Sequence, residues 1–131
     1  KATYQLLICL SRSTPIKISK RGIFRFPKGY YIYTGSAQNG LKARVERHLR
    51  KEKKHFWHID YLLDHASIKR VFLFLDEGID ECSLSQKMLK WPKAKVVVPK
   101  FGASDCSCPT HLVFFPKLKD LPKNEKLILS I

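Results

Sequence analysis

The chain has 131 residues, 44% of them hydrophobic, which fits one compact domain with an ordinary core. It carries 25 Lys and Arg against 11 Asp and Glu, a formal net charge of +14, and such an excess favours a polyanionic partner, nucleic acid ahead of an acidic membrane surface. No apolar run approaches the roughly 18 residues a membrane helix needs, and no signal-peptide pattern opens the chain. Cys9, Cys82, Cys106 and Cys108 do not look like a secreted disulfide framework, so a cytoplasmic setting is expected.

Tyr4 to Leu10 reads as a buried strand, and Ser11 to Pro15 as turn chemistry. Ile16 to Ser19 alternates apolar and polar residues, Lys20-Arg21-Gly22 suits a hairpin turn, and Ile23 to Phe26 continues the sheet. The first third is therefore β-rich and expected to be antiparallel. Gly29-Tyr30-Tyr31-Ile32-Tyr33-Thr34-Gly35 is the central strand, rich in β-favouring residues and bounded by glycines. Tyr31 and Tyr33 share one of its faces, Tyr30 and Ile32 the other.

A helix is expected from about Leu41 to Arg50, with Asn39 as its cap. Leu41, Val45 and Leu49 would form its apolar stripe, while Arg44, His48 and Lys51 recur at i, i+4, i+7 on another face. A second helix is expected from about Phe56 to His65, with Phe56, Ile59 and Leu63 facing the core and His58 with Tyr61 on another face. Val71 to Leu75 suits an interior strand. A third helix begins near Asp80-Glu81-Cys82 and runs to about Leu89. Short strands are expected at Lys95 to Pro99 and at His111 to Phe115, with an edge strand at Leu127 to Leu129. The fold class is thus α/β, a small and mainly antiparallel sheet flanked by helices.

Cations stacked beside phenols suit a phosphate. Arg offers a planar fork of donors that stays charged at any relevant pH, and a phenol can donate to or orient a water. The bland reading is a half-buried strand followed by a solvated basic helix. In the loop that follows, Cys106-Ser107-Cys108-Pro109-Thr110-His111 offers two thiols and an imidazole. Zinc would need a fourth ligand, from Cys82 or His58, and the paired Cys-x-x-Cys spacing is absent.

Tyr33-Thr34-Gly35-Ser36, then Arg44, then His48-Leu49, resembles the second half of the GIY-YIG nuclease motif. Trp57-His58-Ile59-Asp60-Tyr61-Leu62-Leu63 and the segment Phe101 to Leu112 resemble a microbial branch of that superfamily. Tyr4 best matches the first tyrosine of the motif, although Ala2-Thr3 stands where Gly-Ile is usual, and Ile16 to Phe26 looks like an inserted pair of short strands.

The resemblance implies a divalent-metal-dependent endonuclease that hydrolyses phosphodiester bonds, in DNA ahead of RNA. Tyr4 or Tyr33 would orient or deprotonate the attacking water, with Tyr31 as the alternative on the same face. Arg44 would hold the scissile phosphate, and His48 would be a second phosphate contact or an acid–base aid. Glu81 would bind Mg²⁺ or Mn²⁺, with Glu77 as its competitor. Gly35, Ser36, Arg47, Lys51, His58 and Asp105 would line or support the substrate site. The alternative is a nucleic-acid-binding module on the same fold that does not cleave.

Overall fold

The computed structural model describes residues 2–37, 39–74, 79–103 and 106–122, with the backbone alone of 127–130. Strands β1 (Ala2–Leu10), β4 (Gly29–Ala37), β5 (Ser67–Phe74), β6 (Leu112–Phe115) and β7 (Leu127–Ser130) form one sheet in the order β6-β4-β1-β5-β7. Every pairing in it is antiparallel. The inserted pair, β2 (Thr14–Lys17) and β3 (Ile23–Phe26), makes a separate two-stranded sheet closed by a 3-10 turn at Ser19–Arg21. The helices are α1 (Leu41–Leu49), α2 (His58–Leu63) and α3 (Glu81–Leu89).

Both faces of the large sheet are covered. Tyr4, Leu6, Ile8, Tyr31 and Tyr33 pack with Val45 of α1 and with Ile59 and Leu62 of α2. Leu7, Ile32, Val113 and Phe115 pack on the other face with Met88 of α3. This double covering explains why β1 reads as a near-continuous apolar run and not as a clean alternation.

The β1–β4 register sets Tyr4 directly opposite Gly35, and Leu6 opposite Tyr33. A Cβ at position 35 would lie 2.5 Å from the Tyr4 hydroxyl and 2.6 Å from its Cζ. The ring of Tyr4 therefore occupies the space that any larger residue at 35 would fill. Its hydroxyl reaches across β4 to α1.

Helix α1 is tied to α2 by Arg47. Its guanidinium donates Nη1 to Oδ1 and Nη2 to Oδ2 of Asp60, each at 3.0 Å. Asp60 is fully buried and also accepts from the backbone N–H groups of Phe56 and Trp57, at 2.8 and 2.9 Å. Burial alone would raise the Asp60 pKa, but the bonds from Arg47 and the two amides outweigh it and hold the carboxyl below its usual range. The last turn of α1 is closed by Lys53, whose Nζ donates to the carbonyls of Arg47, His48 and Arg50.

Several local expectations are corrected. The N-cap of α1 is Gly40, at φ 67°, and no side chain caps the helix, so Asn39 does not play that part. The buried face of α1 is Val45 with His48, an i, i+3 pair, and Leu49 is 39% exposed. Helix α1 ends before Lys51, so the expected cation row is cut short and its middle member lies inside. Phe56 is 75% exposed because α2 starts only at His58, leaving Phe56 in the preceding loop. Lys95 makes a single bridge to Phe114 in place of a strand through Pro99.

Two outcomes follow. Gly35→Ala should cost about 1–3 kcal/mol of unfolding free energy in the wild-type background and close to nothing in a Tyr4→Ala background; equal costs in urea melts of both pairs would contradict the packing of Tyr4 on Gly35. Asp60→Ala should cost about 3–5 kcal/mol near neutral pH. Because the folded-state pKa of Asp60 is depressed, that deficit should shrink as pH falls below about 4 and the wild-type carboxyl protonates. A deficit independent of pH in melts from pH 7 to pH 3 would rule the ion pair out as its cause.

Candidate active site

A cleft of about 370 Å³ opens where the start of β1 and the end of β4 meet the helices. Its floor is Tyr33, Gly35 and Ser36 of β4. Arg44 of α1, Phe56, Trp57 and His58, Glu81 of α3, and Gly102, Cys106 and His111 complete its lining. Helix α3 is aimed here by its own cap, since Asp80 accepts from the Ser83 amide at 2.9 Å. Thr3 of β1 also donates to the carbonyl of Ile79 at 3.0 Å, which fixes the approach to α3.

Beneath the cleft lies a buried polar pair. The Tyr4 hydroxyl is 2.6 Å from His48 Nε2, and the two residues are 1% and 2% exposed. Burial pushes the Tyr4 pKa up to about 12, against the bond and the charge of Arg44, which act to lower it. Tyr33 is raised well above its ordinary value, by burial first and then by Tyr4 and Glu81. His48 is lowered to about 4, chiefly by burial, with the cations of Lys53, Arg44 and Arg47 adding to it and Asp60 opposing. Burial also lowers His58 and His111. Burial therefore favours the uncharged form of all three imidazoles.

Arg44 donates to the carbonyl of Ser36 at 2.9 Å, and its guanidinium carbon sits 4.4 Å from the centre of the Trp57 ring. Arg47 stacks on Trp57 as well, at 4.5 Å. Such contacts are worth about 0.5–2 kcal/mol each and fix the direction of a flexible side chain. Among the described residues no ion pair engages Arg44, whereas Glu81 Oε2 lies 3.8 Å from Nδ1 of His111. The Gly102 amide donates to Nδ1 of His58 at 3.0 Å, so neutral His58 carries its proton on Nε2.

Of the residues singled out from the sequence, Tyr33, Gly35, Ser36, Arg44, His58 and Glu81 line this cleft, and Tyr4 and His48 lie directly under it. Three others are placed elsewhere. Tyr31 is wholly buried between Phe26 and Phe114 and donates to the Pro27 carbonyl. Arg47 is held by Asp60, and Lys51 lines a separate groove beyond the end of α1. Asp105 and Glu77 lie outside the described residues. Trp57 and Phe56 were not singled out for the site. The signal for Trp57 was available, because a tryptophan beside a helix that bears Arg44 and Arg47 can direct both.

Cys82 of α3 meets the loop that closes the cleft. Its Sγ is bonded to that of Cys108. Cys106 Sγ and His111 Nε2 lie 3.3 and 3.5 Å from Cys82 Sγ. The four residues Cys82, Cys106, Cys108 and His111 form a group that could hold a metal ion.

No helix among the described residues is long and apolar enough to cross a membrane. Comparison with curated proteins found no match, and comparison with solved structures found none. The profile of the family described as "Domain of unknown function DUF123" matches residues 3–130, and the chain belongs to that family.

Proposed function

We propose that the protein is a GIY-YIG-type endonuclease that hydrolyses a phosphodiester of nucleic acid, with DNA as the expected substrate and Mg²⁺ or Mn²⁺ as cofactor. One observation carries this reading: Arg44 and Glu81 line the same cleft, and among the described residues neither is paired with the other. A guanidinium and a carboxylate that line one cleft without pairing to each other suit the two halves of such a reaction, one for a phosphate oxygen and one for a cation. A strongly basic surface supports the polyanionic substrate, since formal net charge is +14.

Glu81 fits a hard divalent cation, because Mg²⁺ is commonly held by one or two carboxylates with the remaining positions filled by water and substrate phosphate. When bound, the cation would polarise the phosphate and offset charge on the leaving oxygen. Arg44 would grip a non-bridging oxygen, pre-aimed by Trp57 and by the Ser36 carbonyl. His58 would add an Nε2–H donor. Exposed Phe56 at the cleft wall offers a face on which a base can stack.

The Tyr4–His48 pair would position the attacking water. His48 Nδ1 is buried without a partner among the described residues. An orphaned N–H costs more than an orphaned lone pair, so the proton of neutral His48 belongs on Nε2, donating to Tyr4. Arg44 also acts on the Tyr4 hydroxyl, favouring its deprotonated form against burial. His48 then supports the Tyr4 oxygen, and the phenol's own O–H would be left to hold a water or phosphate oxygen. With a pKa near 12, only about 10⁻⁵ of Tyr4 is phenolate at pH 7, so the resting enzyme orients the water through a neutral phenol.

Cleavage of labelled single-stranded, duplex and branched DNA with Mg²⁺ or Mn²⁺ tests this. Arg44→Ala and Glu81→Ala should each lower the rate at least about 100-fold, while Arg44→Ala should reduce the salt slope of binding by only about 1. Salt-dependent binding by a wild type that never cuts DNA or RNA would replace this reading with the non-cleaving binding module. In ¹⁵N-resolved histidine spectra, His48 should stay neutral from pH 8 to pH 5, titrate near 4, and show the Nε2–H tautomer. A midpoint near 6.5 or the Nδ1–H tautomer would overturn the assignment.

A further inference from the structure

At one side of the cleft, the first turn of α3 and residues 106–111 bring three sulfurs and an imidazole into one cluster. The ligand atoms of Cys82, Cys106, Cys108 and His111 all lie within 4.8 Å of one another. We propose that in the reduced chain these four residues bind one zinc ion, a closed structural site that clamps α3 to the loop. The inference stands independently of the hydrolytic reading, because it uses different ligands and is read out by metal content.

Three of the separations in the cluster come close to what zinc needs. With Zn–S of about 2.3 Å and Zn–N of about 2.0–2.1 Å, a tetrahedron needs S···S near about 3.8 Å and S···N near about 3.5 Å. Observed separations are 3.3 Å for Cys82–Cys106, 3.5 Å for Cys82–His111 and 3.4 Å for Cys106–His111. His111 turns Nε2 toward the sulfurs and Nδ1 toward Glu81, at 3.8 Å. A carboxylate behind a ligating histidine is the usual arrangement in zinc sites. The loop is held in shape by its own bonds: Lys100 Nζ donates to the carbonyls of Cys106 and Cys108, and the His111 amide to Phe101 O at 2.8 Å.

Cys82 and Cys108 cannot be bonded to each other and both ligate a metal. The Cys82–Cys108 bond accounts for two of the four clustered residues. A metal accounts for all four, including Cys106 and His111. Binding would convert three thiols to thiolates and release three protons, leaving a site of net charge −1. With four protein ligands the zinc keeps no open position, which separates it from a catalytic metal.

The test is elemental analysis of the full chain, prepared from lysis onward with a phosphine reductant and no chelator. The expected result is about one zinc per chain, kept in Cys9→Ser and lost in Cys106→Ser. Should Cys106→Ser fail to fold, cobalt added to the metal-stripped wild type decides: a thiolate-to-cobalt charge-transfer band with intense tetrahedral visible bands is expected. A folded, reduced wild type that holds neither zinc nor tetrahedral cobalt would overturn the proposal. So would full zinc in Cys106→Ser, or a Cys82–Cys108 disulfide that persists under the reductant in alkylation mapping.

Discussion

The site rests on one close approach, the ring of Tyr4 lying over the backbone of Gly35. The antiparallel register puts the two residues directly opposite each other, and the missing side chain at 35 lets the phenol lie across β4. Its hydroxyl then meets His48 of α1 at 2.6 Å. One contact thereby links β1, β4 and α1, and it sets the depth of the cleft floor. Any larger residue at 35 has to displace either the phenol or the strand, in a sheet packed on both faces.

The second constraint divides the arginines of α1. Arg44 and Arg47 stand three residues apart and both stack on Trp57, yet they serve different ends. Asp60 is fully buried and engages Arg47 with two hydrogen bonds, so that charge is committed to holding α1 and α2 together. Breaking such a buried pair is costly, about 3–5 kcal/mol, which makes Arg47 a poor candidate to leave for a phosphate. Arg44 is held by a backbone carbonyl and an aromatic face, with no ion pair among the described residues, and it lines the cleft. The lowered pKa values of His48, His58 and His111 follow from the same crowding, since burial heads the causes in each case.

Much of the fold was legible in the sequence. The tyrosine-rich strand between glycines, the inserted short pair and the third helix with Asp80 before it all stand close to their expected bounds. What was not legible depended on tertiary context. The row of Arg44, His48 and Lys51 looks like an exposed cationic face, but Tyr4 draws His48 inward and α1 ends two residues before Lys51. Tyr31 and Tyr33 share a strand face, yet only Tyr33 reaches the cleft, because β4 runs past its edge and Tyr31 is enclosed by Phe26 and Phe114. Cys82 was one of two candidates to join Cys106, Cys108 and His111. Only the packing of α3 against the loop selects it over His58, whose Nδ1 is taken by the Gly102 amide.

The most direct test of the central claim is a crystal structure of a Tyr4→Phe variant with a short oligonucleotide and Mn²⁺, read by the anomalous signal of the metal. The expected result is a manganese peak at the Glu81 carboxylate and a phosphate between that peak and Arg44, with position 4 beneath them. A nucleic acid lying on the outer face of α1, with no metal at Glu81 and Arg44 still turned onto Ser36 and Trp57, would contradict it.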